Sequence, residues 1–201
     1  MRICWFGIYN PEYPRNRILI RGLKNAGVEI VECREEWGCK MRYWNLYKKL
    51  KRLRNDYDAV YAAYPASTPA LIAKLFSQKP VVVDAFYSMF DSVVNDRKEI
   101  KWYHPLSLKL LFFDWLSLLM ADLVITDTEE HKRYWSKWFL INEKKINTVY
   151  LGVDDSIYKP MEAVSKNVPF TLHFHGNYIP LQGVKKIAEA AEILRRDKTI
   201  H

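Results

Sequence analysis

Short apolar runs of strand length alternate with segments of helical periodicity along almost the whole chain, and this alternation constrains the fold more than any other feature. Residues 3–8, 28–33, 59–63, 80–85, 123–126 and 146–151 read as strands. The three consecutive valines Val81, Val82 and Val83 favour a strand buried on both faces. Between them, residues 15–26, 42–54, 69–76, 106–120 and 129–139 read as helices, the first following a loop with Pro11 and Pro14 and closed by Gly27. Strand and helix in strict alternation predict an α/β protein: a Rossmann-like parallel sheet with helices on both faces.

The rhythm breaks near residues 158–168, a stretch of linker composition bounded by Pro160 and Pro169. We therefore expect a domain over 1–160, a linker over 161–169, and the start of a second Rossmann-like domain over 170–201. That last part offers one strand, 170–174, a glycine-bounded turn and one helix, 184–196. A lone strand and helix cannot bury their own apolar faces, so the chain is expected to stop inside the second domain. A length of 201 residues agrees with one domain and a piece of another.

Composition narrows the function classes. With 31 Lys and Arg against 23 Asp and Glu, the net charge of +8 favours anionic partners: nucleic acid, an anionic bilayer or phosphorylated small molecules. Cys4, Cys33 and Cys39 form no C-x-x-C pair and are expected to be free thiols in a reducing compartment. The N-terminus lacks the apolar run of a signal peptide. Residues 106–120 are too few to span a bilayer, which takes ~20, and they carry Lys109 and Asp114. Their stripe of Leu108, Leu111, Phe112, Trp115 and Leu119 is expected to pack in the core, with dipping into a bilayer as the alternative.

Between Lys40 and Arg54 there are seven Lys or Arg and no acidic residue, interleaved with Tyr43, Trp44 and Tyr47. Trp44, Lys48, Lys49, Lys51 and Arg52 are candidates for contact with an anionic membrane surface, and a solvated helix face is the alternative.

Open parallel sheets bind ligands outside the carboxyl ends of their strands, which places candidate chemistry in three loops. After the fourth strand, Asp84, Ser88 and Asp91 offer hydrogen bonds to the hydroxyls of a ligand and Tyr87 a face for stacking; an exposed acidic loop is the alternative. After the first strand, Gly7 permits close backbone approach, and Asn16 and Arg17 lie near a helix start where a phosphate can be met. In the C-terminal part, Gly176 and Gly183 bracket a strand-to-helix turn whose helix amides favour an anion, with Lys185 just downstream; a plain glycine-capped turn is the alternative. His173 and His175 share a strand face, but no third ligand is spaced nearby and no metal is expected.

ADLVITDTEEHKRYW followed by KKINTVYLGVDDSIYKP resembles the closing part of the N-terminal domain of family 4 glycosyltransferases of the two-Rossmann (GT-B) type. FTLHFHGNYIPLQGVKKIAEAAEIL is similar to the opening of that family's donor domain. The resemblance implies a glycosyltransferase that moves a sugar from a nucleotide-sugar to a saccharide or lipid-linked acceptor in cell-surface polysaccharide or glycolipid synthesis, with retention of configuration. It implies no cofactor or catalytic metal; if the basic helix binds a membrane, the enzyme is expected to be cytoplasmic and peripheral on the inner face. Thr126 and Thr128 occupy small-hydroxyl positions of the pattern, so the resemblance makes Asp84, Tyr87, Ser88, Asp91 and Thr128 the acceptor-binding candidates, with a helix N-cap as the alternative role of Thr128. The chain departs from the family in two places. Asn177 and Gln182 stand where an Arg and a Lys commonly neutralise the donor diphosphate, and Phe86 stands near a common His. The family's acidic pair, spaced seven residues apart, is expected beyond residue 201, so the catalytic residues stay unassigned and a partner chain or C-terminal half is expected. Two rival readings are a non-catalytic membrane-anchoring, acceptor-binding subunit and a basic nucleic-acid-binding protein, the latter lacking any recognisable motif.

Overall fold

The structure, a computed structural model, describes residues 1–160, 172–176, 178 and 182–195. Six strands form one parallel sheet: β1 (Arg2–Gly7), β2 (Glu29–Arg34), β3 (Ala59–Ala62), β4 (Val81–Asp84), β5 (Leu123–Thr126) and β6 (Ile146–Thr148), in the order β2-β1-β3-β4-β5-β6. The helices are α1 (Pro14–Asn25), α2 (Arg42–Arg52), α3 (Ser67–Phe76), α4 (Pro105–Met120), α5 (Glu129–Trp138) and α6 (Val184–Leu194). This is the α/β architecture that the alternation predicts.

Both faces of the central strands are buried, which is why their sequences are apolar without a polar alternate. Phe6, Val60, Ala62, Val83 and Val124 point to one face and meet Leu46 and Leu50 of α2, Ala70 and Ala73 of α3, Leu118 of α4 and Trp135 of α5. On the other face Trp5 stacks on Tyr61, its register neighbour, at 3.9 Å between ring centroids, and α1 covers them with Leu19, Ile20 and Leu23. Each such large apolar side chain contributes roughly 1.5–3 kcal/mol on burial. Cys4 and Cys33 are buried free thiols on paired strands.

Three expectations are corrected. β6 ends at Thr148, three residues short of the expected limit; Val149 still donates to the Thr126 carbonyl, but β5 ends there and Tyr150 and Leu151 turn out to solvent. Of the strand expected at 170–174, residues 170 and 171 lie outside the described residues, and 172–174 form no strand, for no strand lies alongside them among the described residues.

The third correction concerns α4. Its buried residues are Ser107, Asp114, Ser117 and Leu118, whereas Leu108, Leu111, Phe112, Trp115 and Leu119 are exposed. A narrow seam of small and polar side chains seats α4 against α3, where Ala66, Ala70 and Ala73 allow close approach and Ser67 reaches Asp114. The apolar stripe lies about a third of a turn away, on the outside.

Candidate functional site

The chain leaves β1 toward the face covered by α1 and leaves neighbouring β3 toward the face covered by α3, so a crevice opens at their carboxyl ends. Gly7 lines it with φ +146°, where a Cβ would approach the Ala63 carbonyl to 3.4 Å. Beside it a buried ion pair fixes the end of β4. Arg15 Nε donates to both carboxylate oxygens of Asp84 at 3.0 and 2.9 Å, and its Nη2 donates to Oδ1 at 2.7 Å. Burial alone lowers the guanidinium pKa, but the hydrogen bonds and charge of Asp84 outweigh it and hold the value above the ordinary one. Burial pushes the Asp84 carboxyl up against the pull of Arg15. The Arg15 guanidinium also lies over the Phe86 ring at 4.9 Å, and the Trp135 indole of α5 donates to the Ala85 carbonyl at 3.1 Å. The exit of β4 is thus held from both sides of the sheet.

Beyond β4 the chain forms a π-helical turn, Asp91–Asp96, in place of an irregular polar loop. Asp114 of α4 organises the entry to this turn by accepting from Ser67 Oγ at 2.5 Å, Ser88 Oγ at 2.7 Å and the Phe90 amide at 3.0 Å. Burial nevertheless raises the Asp114 pKa above the ordinary carboxylate value. Phe86 and Tyr87 pack with Tyr64, which precedes a cis Pro65, at centroid distances of 4.9–5.4 Å.

Between this aromatic group and the start of α5 lies a cavity of about 310 Å³, lined by Tyr13, Tyr87, Asp91, Asp96, Asp127 and His131 among others. Asp127 follows β5 and binds His131 Nδ1 four residues on; the Thr128 hydroxyl between them accepts from the His131 amide at 3.1 Å and caps α5. In the neutral imidazole, an Nδ1–H donated to the nearly buried Asp127 carboxylate leaves the lone pair on Nε2. Aromatic faces, several carboxylate acceptors and one oriented imidazole suit a polyhydroxylated ligand: rings stack on its apolar face, carboxylates accept from its hydroxyls, and the imidazole takes or orients a hydroxyl proton.

The structure brings Tyr87 and Asp91 to the cavity. Asp84 and Ser88 are buried and bound to Arg15 and Asp114, so they shape the cleft wall and do not meet a ligand directly. Thr128 serves as the cap. Asn16 is buried and donates to the Asn10 carbonyl at 3.0 Å, tying α1 to the loop after β1. Arg17 is drawn away to Asp154, 3.8 Å distant, which Arg21 and Ser156 also bind; Ser156 and then Arg21 hold the Asp154 carboxyl below its ordinary range. Gly183, with φ +63°, caps α6, Gln182 packs against Gly176 and also borders the cavity, and Lys185 is exposed; Asn177 lies outside the described residues. On α2, Trp44, Lys48, Lys51 and Arg52 are exposed, but Lys49 is bound to Glu35 at 2.6 Å and to the Arg34 carbonyl. The sequence reading missed Arg15, Asp114, Asp127 and His131. Only the last two left a local signal, an Asp–His spacing of four astride an N-cap threonine.

Residues 11–157 match the model of Glycosyltransferase Family 4. The chain belongs to that family. A relative, the chitobiosyldiphosphodolichol beta-mannosyltransferase of Debaryomyces hansenii, is 26% identical over 152 residues, 73% of this chain and 31% of the relative. Among solved structures, Anabaena Alr3699/HepE in complex with UDP-glucose superposes with a TM-score of 0.52 at 15% identity, covering 81% of this chain and 47% of that one. The same protein with UDP and glucose gives 0.52 at 13%, covering 80% and 47%. These two establish the shared fold. The chain spans about a third of the curated relative's length and about half of HepE's.

Proposed function

We propose that this chain is the acceptor-side unit of a nucleotide-sugar-dependent glycosyltransferase, with a saccharide or lipid-linked acceptor seated between Tyr87, Asp91 and His131. The observation that carries the reading is the Asp127–His131 pair opening on an aromatic, carboxylate-lined cleft beyond the carboxyl ends of β4 and β5. Family membership supports the transfer, HepE's complexes support a nucleotide-sugar donor, and the Debaryomyces relative is named for a diphosphodolichol-linked substrate. The donor-binding unit is supplied by a continuation of the chain or by a partner chain.

In this proposal His131 Nε2 accepts a hydrogen bond from an acceptor hydroxyl and aims its oxygen at the anomeric carbon of the donor. As the new C–O bond forms, the bond to the diphosphate breaks and the diphosphate leaves with the electron pair. With retention, as the family resemblance implies, the hydroxyl proton turns from Nε2 to an oxygen of the departing diphosphate, and His131 serves only to position; with inversion, the proton stays on the Nε2 hydrogen bond and passes to His131. Product stereochemistry therefore reads out the role of His131. We also place the chain on the cytoplasmic face of a membrane as a peripheral protein, supported by the basic side chains of α2, among which there is no acidic residue. No helix among the described residues is long and apolar enough to cross a membrane.

The test is titration of the chain with mannose- and glucosamine-containing disaccharides followed by NMR. Shifts should gather around Tyr87, Asp91 and His131, and Tyr87→Ala should weaken binding ~10-fold, the loss of about 1.4 kcal/mol in stacking. Absence of saccharide binding together with steeply salt-dependent binding to generic duplex DNA would replace this reading with the nucleic-acid one.

A further inference from the structure

α4 carries its apolar side chains outward. Its buried positions are mostly polar, while Leu108, Phe112 and Leu119 are 55%, 51% and 46% exposed, with Leu111 and Trp115 between them. Folding leaves this stripe in water, and a contiguous apolar surface of this kind marks an interaction site. At its N-terminal end stand exposed Trp102 and Tyr103, with Lys101 over the Tyr103 ring at 5.7 Å and Lys109 over Phe113 at 5.5 Å. α2 and α3 lie in the same helical layer on the same sheet face. Their outer sides show Trp44 under Lys48 at 5.3 Å, and Tyr47 packed on exposed Phe76.

We propose that the outer side of α4 inserts into the surface of an anionic bilayer, its stripe among the acyl chains and the cations of α2 on the headgroups. Charge selects this occupant over a second copy of the chain. The one acidic residue of α4, Asp114, is buried, and α2 has no acidic residue, so two copies joined through this layer would bring like charges together. Exposed Trp and Tyr beside Lys, around an apolar stripe, are the composition that settles at the headgroup boundary. Sixteen helical residues span about 24 Å and lie flat along the surface. The inference deepens the peripheral placement proposed above but is independent of what the cleft transfers. A failure of vesicle binding leaves the saccharide titration standing.

The experiment is co-sedimentation of the 201-residue chain with vesicles of phosphatidylcholine alone or mixed equally with phosphatidylglycerol, at low and high salt. Replacing Leu108, Phe112 and Leu119 together by Gln should lower partitioning at least ~10-fold (1.4 kcal/mol) at both salt levels. Replacing Lys48, Lys51 and Arg52 by Glu should lower binding only to anionic vesicles, an effect that fades in high salt. The glutamine variant should unfold at the wild-type temperature, because only exposed side chains change. Trp115→Phe should reduce the quenching of tryptophan fluorescence by brominated lipid. Wild-type protein that binds neither vesicle, or a glutamine variant that binds as tightly as wild type, overturns the proposal. So does self-association of the wild type that the glutamine variant abolishes without loss of vesicle binding.

Discussion

Arg15 sits in the first turn of α1, where the helix dipole opposes a cation, and it is buried. Only a partner as close as Asp84 makes that position tolerable, and the three short contacts between them show how completely it is matched. Arg15→Ala is expected to destabilise the protein by about 3–5 kcal/mol, since it leaves a buried carboxylate uncompensated. Arg15→Lys should recover only part of this, because an ammonium cannot present the guanidinium's fork to both oxygens. Urea unfolding at neutral pH measures both, and an Arg15→Ala variant as stable as wild type would falsify the assignment. Nothing in the sequence links these two residues. They lie 69 positions apart, and the reading of Asp84 as a ligand at the end of β4 is what an isolated carboxylate in a loop suggests. Tyr87 and Asp91 were legible because the strand-end rule locates their loop whatever its internal contacts. Asp127 and His131 needed only attention to the spacing across the cap.

At the scale of elements, the strand-helix rhythm marked most boundaries because both faces of a central parallel strand are apolar, a pattern that survives without knowledge of partners. In α4, periodicity reveals a stripe but not which side meets the protein, and the hydrogen bonds to buried Asp114 lie on the side that does. Asp114 holds α3, the loop after β4 and α4 together through Ser67, Ser88 and the Phe90 amide. Asp114→Asn replaces one acceptor oxygen with a donor, setting it against these donors, and should cost about 1–3 kcal/mol. The folded-state pKa is raised, so between the unfolded and folded values the native state binds more protons. The Asp114 contribution is therefore fully present below the ordinary carboxylate pKa and declines as pH rises through the raised value. Unfolding free energies of wild type and Asp114→Asn, compared from acid to neutral pH, should converge as pH increases. A gap that widens toward neutral pH contradicts the assignment.

For the molecule as a whole, the sheet's six strands come from residues 2–148, and α6 buries none of its side chains among the described residues. The cleft at the carboxyl edge holds Asp91, Asp96 and Asp127 against Arg97, a balance that suits hydroxyls and repels a diphosphate. The cations that the sequence suggested for the donor are placed elsewhere: Arg17 faces Asp154, and Lys185 lies exposed in the first turn of α6, next to Lys186, which pairs with Glu189 at 2.8 Å. Stabilising a departing diphosphate takes preorganised donors or cations aimed at the developing charge, and removal of a single such donor costs about 10²–10³ in rate. We therefore expect the 201-residue chain to bind saccharide in the cleft yet to turn over nucleotide-sugars far below ~1 per second, the lower end of ordinary enzyme rates. Mixing it with a separately produced donor-binding domain of a family member should raise the rate if the two halves meet across the carboxyl edge. His131→Ala should then abolish most of that gain without weakening the donor's own binding. Transfer by the isolated chain at ordinary enzyme rates would instead place a complete donor site within these residues, and would return Lys185 and the turn between Gly176 and Gly183 to the centre of the chemistry.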